Sequence, residues 1–166
     1  MNNKFYGKFR GIVTDINDPL NIGRLKAKVP DVMGEQDSGW AMPCVPYGGS
    51  NMGFFALPVV GAGVWIEFEQ GDTEYPIWSG CWWGTLNELP SILLAPVPYK
   101  KMLIKTEGGN TIILDDTPTG GISLETSNGQ KFVMDATGIE INNGKGASIK
   151  MTGPKVTIND DALDII

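Results

Sequence analysis

From Met102 onward the chain repeats one small pattern: two apolar residues spaced by two, then a gap that usually holds Gly, Asn or Asp. The pairs are Met102/Ile104, Ile112/Leu114, Ile122/Leu124, Phe132/Met134, Ile139/Ile141, Ile149/Met151, Val156/Ile158 and Leu163/Ile165. A spacing of two returns strand side chains to the same face. Each segment therefore reads as a short β-strand with one apolar side. The pairs step first by ten residues and later alternate between ten and seven, the regularity of a stack of near-identical β-units. Roughly 65 residues with one narrow apolar face and no disulfide bury too little surface to offset their ordering entropy. The pattern predicts that this segment folds by self-association.

Composition narrows the function classes. The 166 residues include 22 Gly and 11 Pro, which suit many short strands joined by tight turns. A net charge of −6 argues against general binding to nucleic acid or anionic membranes, where basic faces supply the attraction. There is no histidine, so Ser-His-Asp and Cys-His chemistry are excluded and the commonest transition-metal ligand is missing. Cys44 and Cys81 read as small buried apolar side chains rather than a disulfide. Residues 1–10 carry charge but no apolar signal region, and no apolar run approaches the roughly 18–20 residues that span a bilayer. The expectation is synthesis in the cytoplasm without a signal peptide, no cofactor and no bound metal.

The first half alternates less regularly. Strands are expected over 4–14, 24–30, 40–45, 64–70 and 75–82, with a polar loop over 31–38 and a flexible Gly-rich stretch over 47–53. In the fourth of these, Val64, Ile66 and Phe68 face one way and Trp65, Glu67 and Glu69 the other. Five short strands with uneven loops suggest a Greek-key barrel of the oligonucleotide/oligosaccharide-binding (OB) type, and a six-stranded sandwich would give a similar pattern. Pro90, Pro96 and Pro98 mark 88–101 as a tether, with Ile92-Leu93-Leu94 packing on the barrel or on a neighbouring chain. The expected organisation is an all-β chain with a barrel over 1–87, the Pro-containing linker over 88–101 and the β-repeat over 102–166.

Two motifs give these strands a family likeness. Asp18-Pro19 precedes Gly23-Arg24-Leu25-Lys26-Ala27-Lys28-Val29-Pro30, and later comes Pro58-Val59-Val60-Gly61-Ala62-Gly63-Val64-Trp65-Ile66-Glu67-Phe68-Glu69-Gln70-Gly71-Asp72, followed by Tyr75-Pro76-Ile77-Trp78-Ser79-Gly80. In this order the chain resembles the phage baseplate assembly protein V family, whose barrel is shared with type VI secretion spikes. Gly109 to Thr117 and Val156 to Leu163 are similar to the start and end of that family's spike repeats. The resemblance implies a homotrimer in which an OB-fold-like barrel collar precedes an intertwined β-helix or β-prism about 40 Å long, at roughly 4.7–4.9 Å per strand. Its axial core would be Ile112, Leu114, Ile122, Leu124, Phe132, Met134, Ile139, Ile141, Ile149, Met151, Val156 and Ile158. It implies a structural spike that joins a tail tube or hub to a tip and pierces a cell envelope, touching the target membrane only mechanically. Gly71-Asp72 would supply positive φ at a hairpin tip. Some relatives end in an iron-holding apex built on paired histidines, which this chain lacks. Its last residues instead suggest a blunt end covered by a small conical tip protein, contacted by Leu163, Ile165 and Ile166.

Other chemistries have weaker footing in the residues. Glu67 and Glu69 are a carboxylate pair of the kind that cleaves sugars, but acidic residues on the solvent face of a strand are commonplace. Asp115-Asp116 and Asp160-Asp161 are read as turn formers rather than cation ligands. The one local surplus of positive charge is Lys4, Lys8, Arg10, Arg24, Lys26 and Lys28. Of these, Lys8, Arg10, Arg24, Lys26 and Lys28 are the candidate contacts for hub or tube subunits. The alternative is a single-stranded nucleic-acid groove that also uses Trp40, Phe54 and Phe55. A left-handed β-helix acyltransferase is disfavoured, because no catalytic histidine and no strict hexapeptide repeat are present.

Overall fold

The computed structural model describes residues 3–93, 100–160 and 162–165. The chain divides into two compact units, Met1–Glu88 and Leu89–Ile166, and the protein is nearly all β, as the alternating pattern predicts.

The first unit contains β1 (Phe9–Asp15), β2 (Lys26–Lys28), β3 (Met42–Pro43), β4 (Gly48–Gly49), β5 (Met52–Gly53), β6 (Gly63–Phe68) and β7 (Pro76–Trp82). Its main sheet runs β2-β1-β6-β7-β3, with β3 parallel to β7 and the other pairs antiparallel. Leu25 and Ala41 exchange both backbone hydrogen bonds, at 2.7 and 3.3 Å. This bridge links the two edges of the sheet and gives the OB-type closure. The inward positions of the strands, with Leu25, Val29 and Ala41 flanking β2 and β3, supply the buried core: Val13, Leu25, Ala27, Val29, Ala41, Val64, Ile66, Phe68 and Trp78. The outward set of β6 is Trp65 and Glu67, as its alternation predicts.

Three local expectations change. Residues 31–38 are not wholly loop: Pro30–Met33 forms one helical turn, α1, because Pro30 presets φ at the first helical position. Residues 47–53 are an ordered hairpin, β4 against β5. At the β6–β7 connection, positive φ falls on Gln70 (51°) and Gly71 (74°), whereas Asp72 is extended at −94°. A 3-10 turn over Glu69–Gly71 moves the left-handed pair one residue earlier than the motif suggested.

The Asp18-Pro19 motif acquires a physical meaning. The Asp18 carboxylate accepts from Arg24 Nε (2.9 Å) and Nη2 (2.6 Å), and from the backbone N–H groups of Leu20 (3.0 Å), Ile22 (2.9 Å) and Arg24 (3.2 Å). One buried side chain thus organises the whole 18–24 loop. Gly23, at φ 83°, then offers its carbonyl to Trp78 Nε1 at 3.0 Å, tying the first motif to the last strand of the barrel. The Arg24 guanidinium above all, then the three N–H groups, hold the Asp18 carboxyl well below its ordinary value of 3.8, against the opposing effect of burial.

The second unit is one antiparallel meander of β8 (Lys101–Lys105), β9 (Thr111–Asp115), β10 (Gly121–Glu125), β11 (Lys131–Asp135), β12 (Gly138–Asn142), β13 (Ser148–Thr152), β14 (Lys155–Ile158) and β15 (Leu163–Ile165). Every strand pairs with its successor. The steps of ten and seven are explained by the connections. Five-residue loops such as 106–110, 126–130 and 143–147 give the longer step, and two-residue turns at 136–137 and 153–154 the shorter. The loops reuse one geometry: Thr106 N–H donates to the Asn110 carbonyl (3.0 Å), Thr126 to Gln130 (2.9 Å) and Asn143 to Ala147 (3.0 Å).

Acid should read out the Asp18 hub. Its folded-state carboxyl is depressed, so the unfolded chain takes up the proton first, and the hub's contribution is whole above about pH 5 and drains away as pH falls below 3.8. The Asp18→Asn chain should melt at a lower temperature than wild type at pH 7, with the gap narrowing toward pH 2. Tryptophan fluorescence melts measure this, since Trp78 is buried. A gap independent of pH would contradict the assignment.

Candidate self-association face

The register of the meander brings the apolar pairs into line. Met102 and Ile104 sit opposite Leu114 and Ile112, which sit opposite Ile122 and Leu124. These face Met134 and Phe132, then Ile139 and Ile141, then Met151 and Ile149, then Val156 and Ile158, then Ile165 and Leu163. Two apolar residues on each strand from β8 to β14, with Leu163 on β15, therefore form one stripe on one face. All twelve residues proposed as axial lie in this stripe, together with Met102 and Ile104.

Burial in this unit is inverted. On β9 the apolar Ile112 and Leu114 are exposed, while Thr111, Ile113 and Asp115 on the other face are half-buried. Exposure is 42 % at Leu124 and 43 % at Ile141, and among the described residues no apolar side chain of this unit is fully buried. The stripe borders a concavity of about 490 Å³ walled by Ile104, Ile112, Leu124, Phe132 and Ile141. A continuous exposed apolar face of this extent marks an interaction surface.

The opposite face is held by polar pairs. Lys101 meets Asp115 (3.1 Å), Lys131 meets Glu140 (3.4 Å) and Lys150 meets Asp160 (2.7 Å). Asp115 also accepts from the Thr117 N–H at 3.0 Å. That bond, with the Thr117 hydroxyl and Lys101, keeps its carboxyl below the ordinary value. Asp135 repeats the arrangement with Thr137 (2.7 and 2.6 Å). Ile92, expected against the barrel or another chain, lines a concavity of about 230 Å³ with Ile113 and Val133 of its own sheet. Leu94, Pro96, Pro98, Asp161 and Ile166 lie outside the described residues. Leu163 is 53 % exposed on the last strand, and of Ile165 only the pairing with Val156 is described.

The five cationic candidates for hub contact are engaged within their own barrel. Lys8 pairs with Glu67 (3.0 Å) and donates to Ser79 Oγ (2.6 Å). Arg10 lies over the rings of Trp82 (5.1 Å) and Trp65 (6.0 Å). Arg24 and Lys26 converge on Trp40 at 5.7 and 4.9 Å, and Lys28 pairs with Glu35 at 2.8 Å. The structure thus joins Arg24 with Lys26 and sets Arg10 on a different aromatic pair. Phe55 lies against Gly23. Glu69 falls in the turn after β6, so it does not continue the strand face of Glu67. Cys44 and Cys81 are both free and exposed rather than buried; on β7 the buried positions are Pro76 and Trp78. Among the described residues, no group of three or more Cys, Asp or Glu is arranged to hold a metal ion.

Residues 9–83 match the family described as the type VI secretion system/phage-baseplate injector OB domain. Residues 101–164 match the phage baseplate V C-terminal trimerisation domain. A stretch of 73 residues, 44 % of this chain, is 36 % identical to the actin cross-linking toxin VgrG1 of Vibrio cholerae serotype O1. The chain spans only 6 % of that relative's length. The chain belongs to the phage baseplate V and type VI secretion spike family.

Two substitutions test the face and its backbone. Fully burying an Ile side chain contributes about 1.5–3 kcal/mol, and a buried unpaired charge costs more. Ile122→Asp and Ile139→Asp should each abolish association at micromolar concentration, measured by sedimentation. Association retained by both would contradict the role of the stripe. A Cβ on Gly121 would stand 1.9 Å from the Met134 carbonyl oxygen, whereas one on Gly108 meets nothing within 4 Å. Gly121→Ala should destabilise the unit by roughly 1–3 kcal/mol and Gly108→Ala should leave its melting temperature unchanged.

Proposed function

We propose that this protein is the homotrimeric central spike of a contractile phage tail or phage-like injection machine, and that it acts mechanically rather than as an enzyme. The observation that carries this reading is the inverted face: an apolar stripe on a sheet that, among the described residues, buries no apolar side chain fully, within the residues that match a trimerisation domain. Three copies turning their stripes to one axis would bury them together, and twisted sheets packed in this way wind about one another. The twelve stripe residues from Ile112 to Ile158 are then axial. Such a rod resists buckling, because bending it must part three packed sheets at once.

In this reading the barrels form the collar. Their outer cations, Lys8, Arg10, Arg24, Lys26 and Lys28, face the tube or hub, and Leu163, Ile165 and Ile166 serve a small tip protein. Sheath contraction would drive the rod into the target envelope. The chain would be assembled into a virion or related particle. Of the three aromatics that a single-stranded nucleic-acid groove would use, Phe54 and Phe55 are exposed, but Arg24 and Lys26 lie over the ring face of Trp40. Base stacking needs such faces open.

Loss of the chain from a producing strain should yield particles that fail to kill or infect. Wild-type protein should restore activity, and the Ile139→Asp chain should not. Particles that inject normally without the chain would refute the spike role. Purified protein should show no salt-dependent binding to a single-stranded oligonucleotide by fluorescence anisotropy; salt-dependent binding would favour the nucleic-acid reading.

A further inference from the structure

Between Asp37 and Glu67 the sequence contains no Asp, Glu, Lys or Arg, in a chain that is 19 % charged. Residues 44–56 of this stretch are exposed without interruption. They nevertheless form an ordered arm. Gly48 pairs with Gly53 and Gly49 with Met52. The Phe54 N–H donates to the Tyr47 carbonyl at 2.9 Å, and the Tyr47 hydroxyl reaches Met52 Sδ at 3.0 Å. A two-stranded hairpin is marginal in water on its own. This one presents Tyr47, Met52, Phe54 and Phe55, each more than half exposed at 60, 56, 53 and 69 %. Aromatic and Met side chains with charge depleted are the composition of an interface core, and the barrel uses none of them for its own.

We propose that this arm packs against the barrel of a second copy of the chain within one trimer. The inference rests on the trimeric reading above and names the contact between its collars. Charge selects a copy over an unrelated partner. Identical chains of net charge −6 repel, and a charge-free surface is where their barrels can approach closely. A partner met in free solution is commonly steered by complementary charge, and this arm offers none. The tether supplies the second reason. The dozen residues between Glu88 and Lys101 reach at most roughly 40 Å. Three barrels fixed to one trimerisation domain therefore stay at an effective concentration on the order of millimolar, where a modest apolar contact forms without steering.

The test places a photoreactive benzophenone side chain at Phe54 in the full chain, irradiates the purified protein and maps the cross-links. The expected products are covalent dimers and trimers that join position 54 to residues 3–88 of another copy, in protein whose native mass is trimeric. Hydrogen exchange over 47–55 should also be about tenfold slower in the trimer than in the Ile139→Asp chain. A trimeric mass with cross-links confined to one chain, or formed only once another protein is added, would overturn the arm contact and leave the trimer reading standing. Equal exchange rates in the two forms would likewise overturn it. A monomeric mass for the unsubstituted chain would overturn both.

Discussion

Among its described residues the second sheet carries a continuous apolar stripe on one face and buries no apolar side chain fully, so a single copy leaves that stripe facing water. That single constraint governs the second unit. Consecutive antiparallel pairing fixes the register, and the register aligns two apolar residues on every strand. Backbone hydrogen bonds and cross-strand ion pairs hold the sheet together. The hydrophobic contribution, about 25 cal/mol per Å² of apolar surface removed from water, is still outstanding until that face meets another.

The barrel is built on the opposite plan. Its nine-residue apolar core is complete within one chain, and its loops are fastened by a few polar side chains. Asp18 gathers three backbone N–H groups and Arg24, and Gly23 passes the constraint to Trp78. A self-sufficient barrel and a meander with no fully buried apolar side chain among its described residues suit a division of labour. The barrel is stable without a partner, whereas the meander, which matches a trimerisation domain, leaves its apolar stripe for assembly. The outer surface of the barrel is itself divided, between cations lying over tryptophan rings and a charge-free arm.

The second unit was legible in the sequence almost strand by strand, because a period of two with regular gaps is a local signal and its loops are short. Ile122 and Leu124 announce their face without reference to any other residue. The barrel was legible as a set of strands but not in its details. Pro30 begins a helical turn that a polar loop composition hides, and the β4–β5 hairpin is built largely of glycine, which carries no strand propensity. The role of Asp18 depends on Arg24 folding back over it. A motif records the two residues but not the bonds between them. The cationic residues were found as a cluster in sequence, yet they divide between different aromatic partners, because Arg10 lies opposite Trp65 on β6 while the Leu25–Ala41 bridge brings Arg24 and Lys26 to Trp40. The uncharged run from 38 to 66 was visible in the sequence throughout. Its meaning needed the exposure of residues 44–56, since charge-free segments are more often buried.

Sedimentation equilibrium of the full chain across the micromolar range tests the central claim most directly. Burial of the stripe among three copies requires a species of three times 17.9 kDa that persists on dilution. A folded, soluble species of 17.9 kDa at the same concentrations would contradict it.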